Sequence, residues 1–263
     1  MIDNPSFKIA TFNANSIRSR LNIILDWLDK EKPHVLAVQE TKTQDKDFPA
    51  GAFKDNGWNA AFIGQKSYNG VAFLSREHLK IICARLHPEE PEEEARFMHA
   101  EYNGVHLINT YVPQGYLIDS PKYEKKLRFF SDLKNYFSKN LNGSADALWM
   151  GDFNVAPSPI DLANPESNKN HVCFHIDARI ALQNTMEGLW TDLFREKEKG
   201  PGHYTFWDYR SGTAFDKNIG WRVDHIFGTN SMSQKLQSIR IDREPRKAEK
   251  PSDHTFVIAE FSL

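Results

Sequence analysis

Apolar and polar positions recur along this chain in short segments, and the period of each segment predicts its form. Residues 7–12 (FKIATF) alternate as a strand does. From Ile17 through Leu21, Ile24, Leu25 and Leu28 the apolar positions fall at helical spacing until Pro33 stops them. Residues 34–39 (HVLAVQ) form a nearly continuous apolar run, the mark of a buried strand. Two more strands are predicted near 60–63 and 70–74, across a turn at Tyr68, Asn69 and Gly70. Residues 96–101 and 105–112 pair as a hairpin about Asn103 and Gly104. Ser120 and Pro121 mark a helix start, and Tyr123, Leu127, Phe130, Leu133 and Phe137 give that helix an apolar stripe. Residues 145–150 read as a strand, 155–176 as a long loop and 177–186 as a helix. The last third holds short strands near 204–207, 221–227, 236–241 and 256–261.

Many short strands, few helices and no regular βα alternation predict an α/β sandwich, two sheets face to face with helices outside. No repeat or low-complexity linker divides the chain, so residues 1–263 read as one domain. With 40 % hydrophobic and 26 % charged residues, the composition excludes disorder, fibres and disulfide scaffolds. No apolar run approaches the roughly 20 residues of a membrane span. Met1 to Lys8 lacks the pattern of a secretory signal. Cys83 and Cys173 lack CxxC spacing and read as thiols packed near the core in a reducing compartment, with a bridge between them as the alternative. A cytoplasmic protein is expected. Net charge of −2 argues weakly against binding nucleic acid by bulk charge. The average hides an acidic run at 89–94 (EEPEEE), expected as an exposed turn, and a Lys/Arg excess between Arg195 and Lys250.

Chemistry enters with the polar residues at strand ends. Asn13 and Asn15 follow the first strand, Glu40 the second, and Asp152 with Asn154 a later one. Tyr111 ends another strand, Asp224 interrupts the apolar run 221–227, and Asp253 with His254 precedes the last. Any one Asp or Asn after a strand is usually a turn former. Asp224 is different, because an unpaired charge inside a strand costs several kcal/mol, roughly. Strand ends of layered folds meet on a rim, so the six positions are expected to converge. There is no Walker A loop, HExxH, CxxC or GxSxG.

TFNANSIRSR (11–20), VQETK (38–42), YVPQG (111–115), GDFNVAP (151–157), WRVDHI (221–226) and PSDH (251–254) occur in the order used by exonuclease III-type abasic-site endonucleases. The chain resembles that family from Phe7 to Phe261, within the superfamily of metal-dependent endonucleases, exonucleases and phosphatases. The resemblance implies a four-layer α/β sandwich of two mixed β-sheets. It implies a Mg²⁺ or Mn²⁺ held by Asn13 and Glu40, with Asp253 as a further carboxylate. Asp152 would position and deprotonate the attacking water, with Asn154 beside it. His254, held by Asp224, would bond the scissile phosphate, and Tyr111 would contact phosphate or the leaving oxygen. Asp152, Asn154 and His254 are also candidate ligands of a second metal. Gln114, Phe206 and Trp221 fall in motifs or regions that contact or receive the abasic sugar, with Trp207 at even odds. Lys42, Arg18, Arg20, Lys125, Lys126, Arg210 and above all Arg222 are candidate phosphate partners.

The implied activity is incision 5′ to abasic sites in double-stranded DNA, leaving a 3′-hydroxyl, with 3′→5′ exonuclease and 3′-end repair, by a monomer working near the nucleoid. Three departures stand out: Ser16 where glycine is common, His225 beside Asp224, and the 158–176 loop, where His171 is expected to obstruct or contact the strand at the lesion. Two rivals remain. A sibling hydrolase of phosphoinositides, sphingomyelin or undamaged DNA would need a positioning histidine in place of Tyr111. A non-catalytic scaffold would be expected to have lost one of the acidic or histidine positions.

Overall fold

In the computed structural model, residues 6–90 and 93–263 are described. The strands are β1 (Ser6–Asn13), β2 (Val35–Gln39), β3 (Asn59–Ile63), β4 (Val71–Ser75), β5 (Lys80–Cys83), β6 (Phe97–Tyr102), β7 (Val105–Tyr111), β8 (Ala147–Asp152), β9 (Thr191–Asp192), β10 (Asp224–Gly228), β11 (Leu236–Asp242) and β12 (Phe256–Ser262). The helices are α1 (Leu21–Glu31), α2 (Ala50–Asp55), α3 (Pro121–Asn140), α4 (Ile176–Met186), α5 (Leu193–Lys197) and α6 (Asn230–Lys235). They build two six-stranded sheets, ordered β11-β12-β1-β2-β4-β3 and β5-β6-β7-β8-β10-β9. Each sheet is mixed, because β1 runs parallel to β2 and β7 parallel to β8 among otherwise antiparallel pairs.

Alternation explains the layering. Phe7, Ile9, Val35 and Ala37 point inward from the first sheet to meet Met98, Leu107, Leu148 and Ile226 from the second, a shared core between the sheets. The opposite faces also carry apolar side chains. Phe12, Leu36 and Val38 pack against Ile24, Trp27 and Leu28 of α1, and Ile108, Trp149 and Phe227 against Phe130, Phe137 and Leu182 of α3 and α4. The result is the expected four-layer sandwich. A polar pin crosses the core: Gln39 donates to Thr11 and Asn109, and Asn109 donates back to the Val38 and Ala72 carbonyls.

Most predicted elements form, including the hairpin at Asn103 and Gly104 and the α3 start, where the Ser120 hydroxyl accepts from Tyr123 N–H. Four short elements, β5, α2, α5 and α6, have too few apolar positions to show a period. The strand expected at 204–207 reduces to isolated bridges at Phe206, and the one at 221–227 begins at Asp224. Asp224 therefore opens its strand rather than interrupting it. Both cysteines are free, Cys173 buried and Cys83 half-buried. Of the 89–94 run, Pro91 and Glu92 lie outside the described residues, as do 1–5; Glu89 and Glu90 are exposed, whereas Glu93 and Glu94 are half-buried. Among the described residues, no helix is long and apolar enough to cross a membrane.

Candidate active site

Strand direction gathers the polar residues. The parallel pairs β1/β2 and β7/β8 send their C-terminal ends to one rim. Because β10 runs antiparallel to β8, and β12 to β1, their first residues reach the same rim. Register completes the placement: Tyr111 and Asp224 both lie opposite Asp152. At Gly151, with φ +139°, a Cβ would stand 1.9 Å from the Thr110 carbonyl oxygen, so only glycine lets β8 deliver Asp152 here. Asn15, Ser16, Glu40, Lys42 and Asn154 all hold positive φ as the chain turns sharply off the rim.

Glu40, Asp152 and His254 each offer a ligand atom within 4.8 Å of the others. Asn13 Nδ2 donates to Glu40 Oε1 and Asp152 Oδ2, at 2.8 Å each, while its Oδ1 accepts from Asn15 N–H. Asn13 therefore ties the two carboxylates together and keeps one lone pair of Oδ1 uncommitted. Asn154 stands beside Asp152, as expected. Its N–H and Nδ2 go to Asp152, and its Oδ1 faces the Cys173 thiol. Asp253 lies outside the three-residue group, its Oδ1 accepting from Asn15 Nδ2. Lys42 Nζ stands 2.7 Å from Glu40 Oε2.

His254 Nδ1 and Asp224 Oδ2 are 2.8 Å apart, leaving His254 Nε2 facing Asp152 Oδ2 at 3.9 Å. Burial opposes a charge on His254, but Asp224 and Asp152 outweigh it and raise the imidazole pKa. Burial, aided by Asp224 and Glu40 against the pull of His254, pushes the Asp152 carboxyl well up. Burial and the Glu40 and Asp152 carboxylates raise the Tyr111 hydroxyl far above its ordinary value. Asp224 Oδ1 is buried without a hydrogen-bond partner. Three carboxylates gathered in one cluster, against the charges of His254, Lys42 and the more distant Lys126, leave room for a cation. Oxygen donors with one imidazole, and no thiolate, suit a hard divalent ion.

Beside the cluster is a cavity of about 250 Å³ whose lining includes Gln114, Asn154, His171, Phe206, Trp221 and His254. The His171 and Trp221 rings lie 4.7 Å apart, and Phe206 is 5.0 Å from His254. His171 Nδ1 accepts from Cys173 N–H at 3.2 Å, so its Nε2 carries the proton of the neutral ring. Four of the five expected substrate residues thus share one pocket. Trp207 is fully buried and belongs to the core.

Arg222 does not reach that pocket. Its side chain is 1 % exposed, with Nε 2.7 Å from Asp161 Oδ1 and Nη2 2.7 Å from Asp192 Oδ2. Nη1 donates to His225 Nδ1, and His225 Nε2–H donates to the Val155 carbonyl. Burial and then Arg222 lower the His225 pKa to about 4. Although burial opposes it, Arg222 and Arg195 hold Asp161 far below the usual carboxylate range. Arg222 is thus corrected from phosphate partner to internal anchor, its charge already spent on two aspartates distant in sequence. The network fixes the backbone at Trp221. Asp161 gave one usable signal, the Ser158–Asp161 capping box.

Lys126 is corrected too. It is fully buried, and its Nζ donates to the carbonyls of Gln114, Asn154 and Val172, at 3.2, 2.7 and 2.8 Å. Its signal was positional, since 123, 126, 130, 133 and 137 form the buried face of α3.

Comparison with known proteins agrees with this geometry. The exodeoxyribonuclease III of Haemophilus influenzae is 30 % identical over 97 % of this chain and 99 % of its own. The structure of an AP endonuclease from Archaeoglobus fulgidus superposes with a TM-score of 0.94 at 43 % identity, covering 98 % of this chain and all of the other. A 3′ phosphatase from Neisseria, solved with a product DNA hairpin, gives 0.91 at 34 % identity, covering 98 % of this chain and 100 % of its own. A family model matches residues 10–254, and the chain belongs to the endonuclease/exonuclease/phosphatase family.

Proposed function

We propose that this protein is a Mg²⁺-dependent DNA repair phosphodiesterase. It incises double-stranded DNA 5′ to abasic sites to leave a 3′-hydroxyl, and trims nucleotides or blocking groups from 3′ ends. The observation that carries this reading is the cavity beside Asp152 and His254, walled by Phe206, Trp221 and the His171 ring. An aromatic pocket of that size favours a bare deoxyribose over an extruded nucleotide that keeps its base. The site is complete within one chain, which supports action as a monomer.

Phosphodiester hydrolysis needs an in-line nucleophile, charge neutralisation and a stabilised leaving oxygen. Asp152, its carboxyl raised by burial, takes the proton of the attacking water at Oδ2 while Asn13 and Asn154 fix its orientation. His254, kept protonated by Asp224, directs Nε2–H at a non-bridging phosphate oxygen. Tyr111 keeps its hydroxyl proton and donates it as a hydrogen bond to the phosphate or the leaving oxygen. Glu40 and Asp152 would hold the divalent ion, which when bound would supply Lewis-acid neutralisation of the phosphate and leaving oxygen, while protonated His254 stays with the phosphate.

The test is cleavage of a duplex carrying one abasic analogue, with and without Mg²⁺, beside an undamaged duplex with a recessed 3′ end, using Asp152→Asn as the blank. Metal-dependent incision immediately 5′ to the lesion, lost in the blank, is expected. Trimming of the recessed end alone would refute abasic incision, and no cleavage of either would turn attention to the phosphatase branches.

A further inference from the structure

The acidic run at 89–94 plays no part in the chemistry above, yet its last residue does something specific. Glu94 is half-buried between two cations. Its Oε2 is bonded to Arg96 Nε, and its Oε1 stands 2.9 Å from Lys125 Nζ. Arg96 is itself nearly withdrawn from solvent, with its guanidinium over the Tyr111 ring, 4.6 Å from the centroid, and Nη1 donating to the Tyr111 carbonyl at 3.1 Å. These groups wall an open cavity of about 390 Å³ that also takes in Lys122 and Gln114. Gln114 is shared with the sugar pocket, so the two cavities adjoin across one side chain.

A planar guanidinium and a mobile ammonium already closing on one oxyanion are the donor set that takes a phosphate. We infer that Arg96 and Lys125 form a subsite for a DNA backbone phosphate flanking the scissile one, and that Glu94 fills it in the free protein as an internal phosphate mimic that DNA must displace. This rests on the DNA reading above. A carboxylate that served only to neutralise two surface cations would have no need to sit in a cavity against the catalytic tyrosine. The displacement makes the protein selective for polyanions, because a chain of phosphates competes with Glu94 where a lone anion does so poorly.

The test is a salt titration of binding to the abasic-analogue duplex, by fluorescence anisotropy, in the Asp152→Asn background with Mg²⁺. Glu94→Gln should bind about two- to fivefold tighter at low salt, the scale of one exposed ion pair. Its slope of log K against log salt should steepen by about 0.9, since in the parent the freed carboxylate recaptures one cation for the one released from DNA. Lys125→Gln should weaken binding and flatten the slope by a similar amount. If the parent binds DNA while Glu94→Gln leaves both affinity and slope unchanged, the mimic is overturned and the DNA reading stands. An unchanged slope in Lys125→Gln overturns the subsite. If the parent shows no salt-dependent DNA binding at all, the subsite falls together with the DNA reading.

Discussion

Replacing Lys126 with methionine keeps the length of the side chain and removes its three donors. The ammonium serves one carbonyl from each of three segments: Gln114 after β7, Asn154 after β8 and Val172 in the long loop. Each carbonyl left without a donor in a dry site costs about 1–3 kcal/mol. Against that sum stands the relief of no longer burying a charge, worth several kcal/mol, roughly. The net expectation is a loss of about 2–4 kcal/mol in unfolding free energy, read from urea melts. Function should suffer differently. Gln114 and Asn154 line the sugar pocket, as do His171 and Cys173 on either side of Val172. Loosening all three walls should raise KM for the abasic duplex more than it lowers kcat, and should narrow the preference over an undamaged recessed end. A variant within about 0.5 kcal/mol of the parent, with unchanged KM and unchanged preference, would refute the clamp.

Four further outcomes are expected. Asp224→Asn takes away the charge that keeps His254 protonated, so kcat should fall by about 10²–10⁴-fold with KM little moved, and a change confined to KM would count against the assignment. His171→Ala should shift the ratio of abasic incision to 3′ trimming, and equal rates on both substrates would remove His171 from substrate choice. His225 is neutral in the fold, its pKa lowered to about 4, whereas the unfolded chain protonates near 6.5. Its contribution is complete above pH 6.5 and is lost on acidification toward pH 4, adding about 1.4 kcal/mol per pH unit to the stability slope, which His225→Gln should remove in urea melts at several pH values. Ser16 holds φ +91°, so Ser16→Gly should stabilise the protein by about 1 kcal/mol in the same melts, and a destabilised variant would show that the Ser16 hydroxyl contact to Ser19 outweighs the strain.

The sequence misled most about cations. A cation beside a catalytic motif is more often a solvated surface charge than a phosphate partner, and Arg222 is the best candidate only because it flanks Asp224. Arg222 and Lys126 are instead internal, satisfied by Asp161 and Asp192 in one case and by three carbonyls in the other. Asn13, Asn154 and Asp253 stand at the rim, where their side chains bond to Glu40, the Val112 carbonyl and Asn15. A motif specifies residue type and order. It does not specify which atom of an amide points where.

The linear pattern determined the sandwich. Inward and outward apolar alternation on β1, β2, β7 and β8, with apolar stripes on α1 and α3, admits two sheets with helices outside and little else. It also showed that most of the candidate catalytic residues stand at strand ends. Tertiary structure alone decided which of them meet. The convergence of Glu40, Asp152, Asp224 and His254 depends on parallel pairing at β1/β2 and β7/β8, with β10 and β12 reversed beside them. The partners that silence Arg222 and Lys126 lie tens of residues away or across a loop without periodicity. Hydrophobic period is a local property and can be read residue by residue. The protonation of Asp152 and His254 arises from charges and desolvation summed over groups that only the folded chain brings together.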